Sequence, residues 1–423
     1  MKLNTILKER ISNLYHTTSD NIISVGLGRK TKNGVETEEI GIVFGVLKKI
    51  PINDLPKDEI LPRSIFVNGQ EYQTDVDETE IPKMCVCYSS GDPEIARLQN
   101  LATAPSPLKG GQEITMYPNY FTPTQRSLGT LGFIGTDNID GKIVAVTNAH
   151  VACYKKLIAS QRDYIEEESL PYNTAERYPL YDNTLQYPSG VMKNNATFVT
   201  PFPRIKRYIP HYKKDEGINY VDVAIYTVLE EYINNDSYQV WQPTTVTTYP
   251  SSLPFASTAE LDNLLTTNPL VYSTGRTTGP KGYGSSPSCR LRITGMGITT
   301  DVSDGGEGFV GTWSDTGRIQ FQDNSPSPIL GGDSGSSVLA DIGGQRKIIG
   351  LVFAAGGNLG VFCRIDRIVE ALNISAFSTP TNTQQSEPSL FTGSISQYAN
   401  TVKLTRNGKT YYQVGLTRNT YNG

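Results

Sequence analysis

One short run in this 423-residue chain has the composition of a nucleophile's seat: Gly331-Gly332-Asp333-Ser334-Gly335-Ser336, followed by the apolar pair Val338-Leu339. A serine hydroxyl attacks a carbonyl only when a base takes its proton and donors await the developing oxyanion. Glycines on both sides of Ser334 let the backbone bend tightly enough for amides to converge. The N–H groups of Gly332 and Ser334, two residues apart on one bent segment, are the natural oxyanion pair. An ordinary Gly/Ser turn has the same composition, so the serine needs partners before it means catalysis.

The chain has three histidines, His16, His150 and His211. His150 stands directly after an apolar strand candidate at 142–148 and upstream of the serine run, which suits a general base. His16 falls on a short amphipathic helix candidate built from Ile6, Leu7, Ile11 and Leu14. His211 lies beside Lys213 and Lys214 in a charged stretch. Both are expected on the surface. A general base of this kind needs a carboxylate to fix its tautomer and stabilise the imidazolium. Asp222, within Tyr220-Val221-Asp222-Val223-Ala224-Ile225, is the choice. A charge inside so apolar a strand is costly unless paired. An outward-facing strand position would also hold it, but a partner histidine explains it better. Asp182, Asp215 and Asp236 lie in polar, loop-like stretches and are weaker candidates.

The elements that must position these residues read as mainly β. Strand candidates lie at 22–25, 39–46, 130–136, 142–148, 196–199, 221–228, 290–296, 318–322, 336–339 and 347–353, with short helices at 259–265 and 365–372. Asn138-Ile139-Asp140-Gly141 reads as a hairpin turn between the second pair of strands. Four divisions follow: a small N-terminal α/β domain over 1–79, a Pro/Gly/Ser-broken linker over 80–111 with at most two helical turns at 94–101, a catalytic domain over 112–377, and a C-terminal linker with a hairpin over 378–423. The stretch 154–220 is long, charged and Tyr-rich, and reads as surface insertions.

Thr147-Asn148-Ala149-His150, the apolar setting of Asp222 and Gly332-Asp333-Ser334-Gly335, in the order His, Asp, Ser, resemble the trypsin-like serine peptidase superfamily. Leu131-Gly132, Thr274-Gly275-Arg276-Thr277-Thr278-Gly279 and Ile349-Gly350-Leu351-Val352-Phe353 are similar to a narrower group, bacterial trypsin-like proteins that resemble the plant narrow-leaf serine proteases. Val25-Gly26-Leu27-Gly28 and Thr74-Asp75-Val76 extend the resemblance into the first domain, so that it spans roughly 20 to 372. It implies a chymotrypsin-like double β-barrel and peptide-bond hydrolysis by Ser334, His150 and Asp222, with an oxyanion hole at Gly332 and Ser334 and no cofactor or metal. It also implies that Pro328 sits at the base of the S1 pocket and that Phe353, Ala354 and Ala355 line it and meet the substrate backbone. Pro328 stands where a basic-selective relative carries a carboxylate, which disfavours cleavage after Arg or Lys; Asp323 is the other acid that could reach the pocket. Val151 replaces the cysteine that follows the histidine in secreted relatives, and no internal Ile-Val-Gly-Gly activation sequence is present.

Composition narrows the alternatives. Net charge is −4, which gives no electrostatic reason to expect nucleic acid or an anionic membrane as partner. No segment has the length and apolarity of a membrane span, and the first residues do not read as a secretory signal. The five cysteines, Cys85, Cys87, Cys153, Cys289 and Cys363, form no disulfide framework and suit a reducing compartment. Cys85 and Cys87 lack a second pair to hold a metal. A cytoplasmic protein acting on a protein or peptide substrate is expected, with virion association and homo-oligomerisation left open. The competing reading is a non-catalytic structural or assembly protein on a protease fold, motivated by the Tyr-rich insertions and the tail; an esterase would use the same site.

Overall fold

The computed structural model describes residues 21–32, 35–57, 59–67, 70–84, 87–88, 108–116, 127–152, 165–166, 189–193, 197–202, 205–209, 211–214, 218–228, 230–242, 252–304, 310–325, 327–377, 401–406 and 409–414. The described chain is mainly β, as the alternating apolar patterns and frequent glycines predict. Among the described residues the largest sheet has 13 strands, and one of two sheets of 5 carries the histidine strand.

The histidine strand, Ile143–Thr147, pairs antiparallel with Phe133–Asp137 on one edge and Ala224–Thr227 on the other. Asn138 to Gly141 make the expected turn, with Gly141 at φ +71°. Side chains alternate along this strand. Val144 and Val146 enter the main core with Ile225, Leu351 and Val352, whereas Ala145 enters a second core with Ile134, Tyr208, Ala224 and Tyr226. A strand buried on both faces must be apolar, and Ile-Val-Ala-Val is, while the closing Thr147 has its hydroxyl bonded to Thr130 O.

Several expected elements shift. The strand candidate 130–136 is two strands, Ser127–Thr130 and Phe133–Asp137, broken at Leu131-Gly132. The strand candidate 221–228 shortens to Ala224–Thr227, so Asp222 precedes the strand instead of lying within it. The helix candidate 259–265 is two single turns, Thr258–Asp262 and Leu264–Thr267, the first capped by a Ser257–Glu260 capping box. Helix Ile365–Leu372 matches its candidate, and strands Thr401–Arg406 and Lys409–Val414 form the C-terminal hairpin.

Strands on both sides of residue 79 share the large sheet. Strand Ile22–Lys32 pairs along Leu291–Ser303, with Ser24 opposite Thr300 and Gly28 opposite Gly295, so the first domain's strands extend the large sheet. Gly26 and Gly28 serve this close approach: a Cβ on Gly26 would meet the Ile298 backbone at 2.7 Å. The described part of 1–79 is strands with one 3₁₀ turn at Ile52–Asp54, and the helix candidate built from Ile6, Leu7, Ile11 and Leu14 lies outside the described residues. Of the linker, Lys83–Met84 joins the large sheet, and Leu108 to Gly111 are docked through Leu108 N to Tyr232 O at 2.9 Å and Gly111 N to Leu131 O at 2.7 Å. The candidate turns at 94–101 and His16 lie outside the described residues.

Candidate active site

Strand register brings His150 and Asp222 together. Thr147 is opposite Ala224 in the antiparallel pair, so the residues just after 147 and just before 224 meet at one end of the sheet. There the chain turns into the helical turn Ala149–Ala152, and Val221 to Val223 are buried just ahead of their strand. Asp222 is fully buried. One carboxylate oxygen, Oδ2, makes a short hydrogen bond with His150 Nδ1, and the other, Oδ1, accepts the His150 backbone N–H at 3.1 Å. Asn148 Nδ2 donates to the Asp222 carbonyl at 2.6 Å, and the Asp222 amide donates to Cys363 Sγ at 3.2 Å.

A second imidazole shares the carboxylate. His211 Nε2 lies 3.3 Å from Asp222 Oδ1. His211 is fully buried, which corrects the expectation of a surface histidine: its ring meets Trp313 edge-on at 5.1 Å between centroids, and Trp313 in turn meets Phe353 at 5.5 Å. The neighbouring lysines masked this in the sequence. The one available signal was Ile209, an apolar neighbour two residues earlier. Burial alone would raise the Asp222 carboxyl, but the charges of His150 and His211 and their hydrogen bonds outweigh it and hold it well below the usual carboxylate range. The same buried carboxylate, with burial as the larger cause, pushes the Cys363 thiol well up.

Ser334 lies on a turn whose shape depends on its glycines. Gly332 and Gly335 both have φ +94°, a region costly to any residue with a Cβ. The amides of Asp333 and Gly335 donate to Leu330 O and Val352 O at 3.0 and 2.9 Å, whereas those of Gly332 and Ser334 donate to no backbone carbonyl among the described residues. Asp333, fully buried, braces the turn: Oδ1 accepts the amides of Thr277 and Thr278 at 2.8 and 3.0 Å, and Oδ2 accepts Thr278 Oγ1 at 2.6 Å and the Leu330 amide at 3.0 Å. Lys281 Nζ stands 3.9 Å from the same carboxylate.

Thr130 ties the serine turn to the histidine strand. Its amide donates to Ser334 O at 2.8 Å and its hydroxyl to Gly332 O at 2.9 Å, while its carbonyl accepts Thr147 Oγ1 at 2.8 Å. Ser334 Oγ itself donates to Phe353 O at 3.4 Å, and His150 Nε2 is buried without a hydrogen bond. The structure therefore joins His150 to Asp222 directly, and joins Ser334 to that pair through Thr130 and Thr147.

Pro328, Phe353 and Ala354 are buried and Ala355 is half-buried. Asp323 is exposed and accepts the Ser325 amide at 3.0 Å within its own turn, so it does not serve the interior. Asp236 likewise caps an exposed turn, and Asp182 and Asp215 lie outside the described residues. Among the described residues no group of three His, Cys, Asp or Glu could hold a metal ion, and no helix is long and apolar enough to cross a membrane. No protein-family model matches the chain, and no curated protein matches it.

Proposed function

We propose that the chain is a serine endopeptidase of the trypsin-like kind, with its two main sheets as the two barrels of a chymotrypsin-like fold and its site in the seam between them. One observation carries the reading: a buried Asp222–His150 pair stands at the end of the strand whose Thr147 is tied to Thr130, and Thr130 also holds the glycine-bent serine turn. Ser334 Oγ attacks the substrate carbonyl and passes its proton to His150 Nε2, the nitrogen opposite the one Asp222 engages. The imidazolium that forms is stabilised by Asp222, and it then protonates the leaving amine. The amides of Gly332 and Ser334 receive the oxyanion, and water releases the acyl group by the reverse sequence. Attack requires Ser334 Oγ to turn from Phe353 O toward His150, a change between staggered rotamers; apo sites commonly tighten only on binding substrate. None of these steps calls for a metal or organic cofactor.

The hydrogen bond from Ser334 Oγ to Phe353 O favours a second reading, a non-catalytic structural or assembly protein that keeps this fold. A fluorophosphonate probe separates the two, because it reacts only with an activated serine. Labelling of the wild type that is lost in Ser334→Ala and in His150→Ala supports the peptidase. Equal labelling of wild type and Ser334→Ala overturns it.

A further inference from the structure

Strand Ala224–Thr227 has an antiparallel partner on each edge, and Ala224 is opposite Thr147 on one side and Tyr208 on the other. The chain that enters this strand therefore runs beside two chains that have just left theirs. Beyond the end of the pairing, Ile209 N still donates to Val223 O at 3.0 Å. His150 lies three residues past Thr147, and His211 lies three residues past Tyr208. Both flanking segments thus deliver an imidazole to the carboxylate two residues ahead of Ala224. His150 Nδ1 bonds Asp222 Oδ2, and His211 Nε2 stands 3.3 Å from Oδ1.

The proposed mechanism uses only the first of these imidazoles. An ionised carboxylate accepts hydrogen bonds and donates none, so the His211 nitrogen that faces it carries a proton in the neutral ring and in the charged one. The ring is also held against Trp313, edge-on at 5.1 Å between centroids, and Trp313 packs at 5.5 Å on Phe353, whose carbonyl accepts the Ser334 hydroxyl. Charged groups on the surrounding elements are ion-paired with one another. Lys214 pairs with Asp301 at 2.8 Å, and Asp315 pairs with Arg364 and Arg367 at 3.3 and 2.6 Å. Burial pushes up the Cys363 thiol and the Tyr220 phenol, so both stay neutral near pH 7. Among the described residues around Asp222, this leaves His150 and His211 to titrate near neutral pH.

We propose that His211 is a positioning residue for the general base: it holds Asp222 Oδ1, leaves Oδ2 to His150, and moderates the pull of the carboxylate on the imidazolium. The proposal rests on the peptidase reading above. Oδ1 also accepts the His150 backbone N–H at 3.1 Å, so that amide and His211 fix one oxygen while the other faces Nδ1. A donor on a carboxylate draws off part of its negative charge, and a cation there draws off more. In either state of His211, the His150 imidazolium is held less tightly than by Asp222 alone, and the free base is present at a lower pH. Removing His211 returns the full carboxylate charge to His150, which then stays protonated, and unable to accept the Ser334 proton, up to a higher pH.

The test is the rate at which a neutral fluorophosphonate labels Ser334 between about pH 5 and about pH 9, in the full wild-type, His211→Phe and His211→Gln chains. Circular dichroism checks that each is folded. Labelling is expected to rise with pH as His150 loses its proton. In His211→Phe that rise should move upward by about one pH unit, which is roughly tenfold slower labelling on its acid side. His211→Gln, whose amide can donate to Oδ1, should fall between the two. A His211→Phe profile that does not move upward, or changes only in height, overturns the proposal and leaves the peptidase reading standing. A wild-type Ser334 that labels at no pH overturns both. If neither variant folds, the imidazole nitrogen-15 shifts of the full wild-type chain decide. A proton on His211 Nε2 that persists while His150 titrates supports the proposal, and an Nε2 without a proton near pH 7 overturns it.

Discussion

At the scale of residues, the proposed chemistry depends on which groups share Asp222. Its two oxygens serve His150 through the ring and the backbone amide, and His211 stands on one of them. Asp222→Asn keeps the shape and removes the charge, and an asparagine amide favours the wrong His150 tautomer. It is expected to slow fluorophosphonate labelling by about four orders of magnitude while leaving the far-ultraviolet circular dichroism unchanged. Ser334→Ala is expected to abolish labelling at wild-type thermal stability, and His150→Ala to abolish it in a folded but less stable protein, because the buried Asp222 carboxylate loses its main partner. His211→Phe keeps a ring against Trp313 but withdraws a partner from a buried carboxylate. It should cost about 1.5–3 kcal/mol, read as a lower denaturant midpoint, and His211→Gln should cost less. A midpoint for His211→Phe equal to wild type would show that Asp222 does not depend on it. The proposed S1 pocket has Pro328 and no carboxylate at its base, so a cleavage profile rich in small or apolar residues before the cut is expected. A profile made up of Arg and Lys would contradict it.

At the scale of elements, the serine turn is shaped from outside itself. Asp333 takes four hydrogen bonds from Thr277, Thr278 and Leu330, and a fifth group, Lys281, is buried within reach of it. Burial pulls the Lys281 ammonium's pKa down, and the Asp333 charge opposes that. Removing one member of such a buried charged network leaves the others unpaired, so Asp333→Ala is expected to destabilise the protein by about 3–5 kcal/mol and to abolish labelling even where the protein remains folded. Gly335→Ala addresses the same turn through the backbone. Its Cβ would collide with the Thr130 carbonyl and Thr147 Oγ1, and its φ of +94° disfavours any side chain. The expected result is loss of labelling with a lowered melting temperature. Wild-type labelling in Gly335→Ala would mean that the turn does not build the oxyanion site.

At the scale of the whole molecule, acid should unfold the protein through a few buried carboxylates. Asp137 sits in the smaller sheet, where Arg207 grips both its oxygens at 2.8 and 2.9 Å and also donates to Leu372 O at 2.6 Å, joining the strand sheet to the last helix. Burial raises the Asp137 carboxyl, but the Arg207 hydrogen bonds and charge and the Lys206 charge outweigh it, so its folded-state pKa is depressed. A depressed carboxylate contributes stability above its unfolded value of about 3.9 and loses it as pH falls through the folded one. Asp222 is depressed as well, so the two act in the same window. Urea midpoints are expected to be flat from pH 7 to 5 and to fall steeply below about pH 4. In Arg207→Met, Asp137 is left buried without its main partner, and the midpoint at pH 7 should already be low, by about 3–5 kcal/mol. A flat midpoint down to pH 3 in the wild type would show that these carboxylates do not control acid stability.

The sequence alone determined the mainly β character, the turn at Asn138 to Gly141, the helix Ile365–Leu372 and the choice of His150, Asp222 and Ser334 for comparison. These are local facts: alternation, glycine placement and the cost of a charge among apolar neighbours act over a few residues and can be read in order. Which imidazoles face Asp222 was decided by tertiary structure. His211 stands 11 residues before Asp222 among lysines, and only the fold turns it inward against Trp313, about a hundred residues further on. The same holds for the apparent domain and linker at the start of the chain. Proline and glycine mark where a chain bends, but they say nothing about which distant edge it then meets. Strand pairing is a contest among exposed backbone edges, settled by the register of Leu291–Ser303 and Gln345–Gly356 far downstream. For that reason Lys83–Met84, in a stretch that reads as a linker, can pair with the strand whose Phe353 carbonyl accepts the serine hydroxyl.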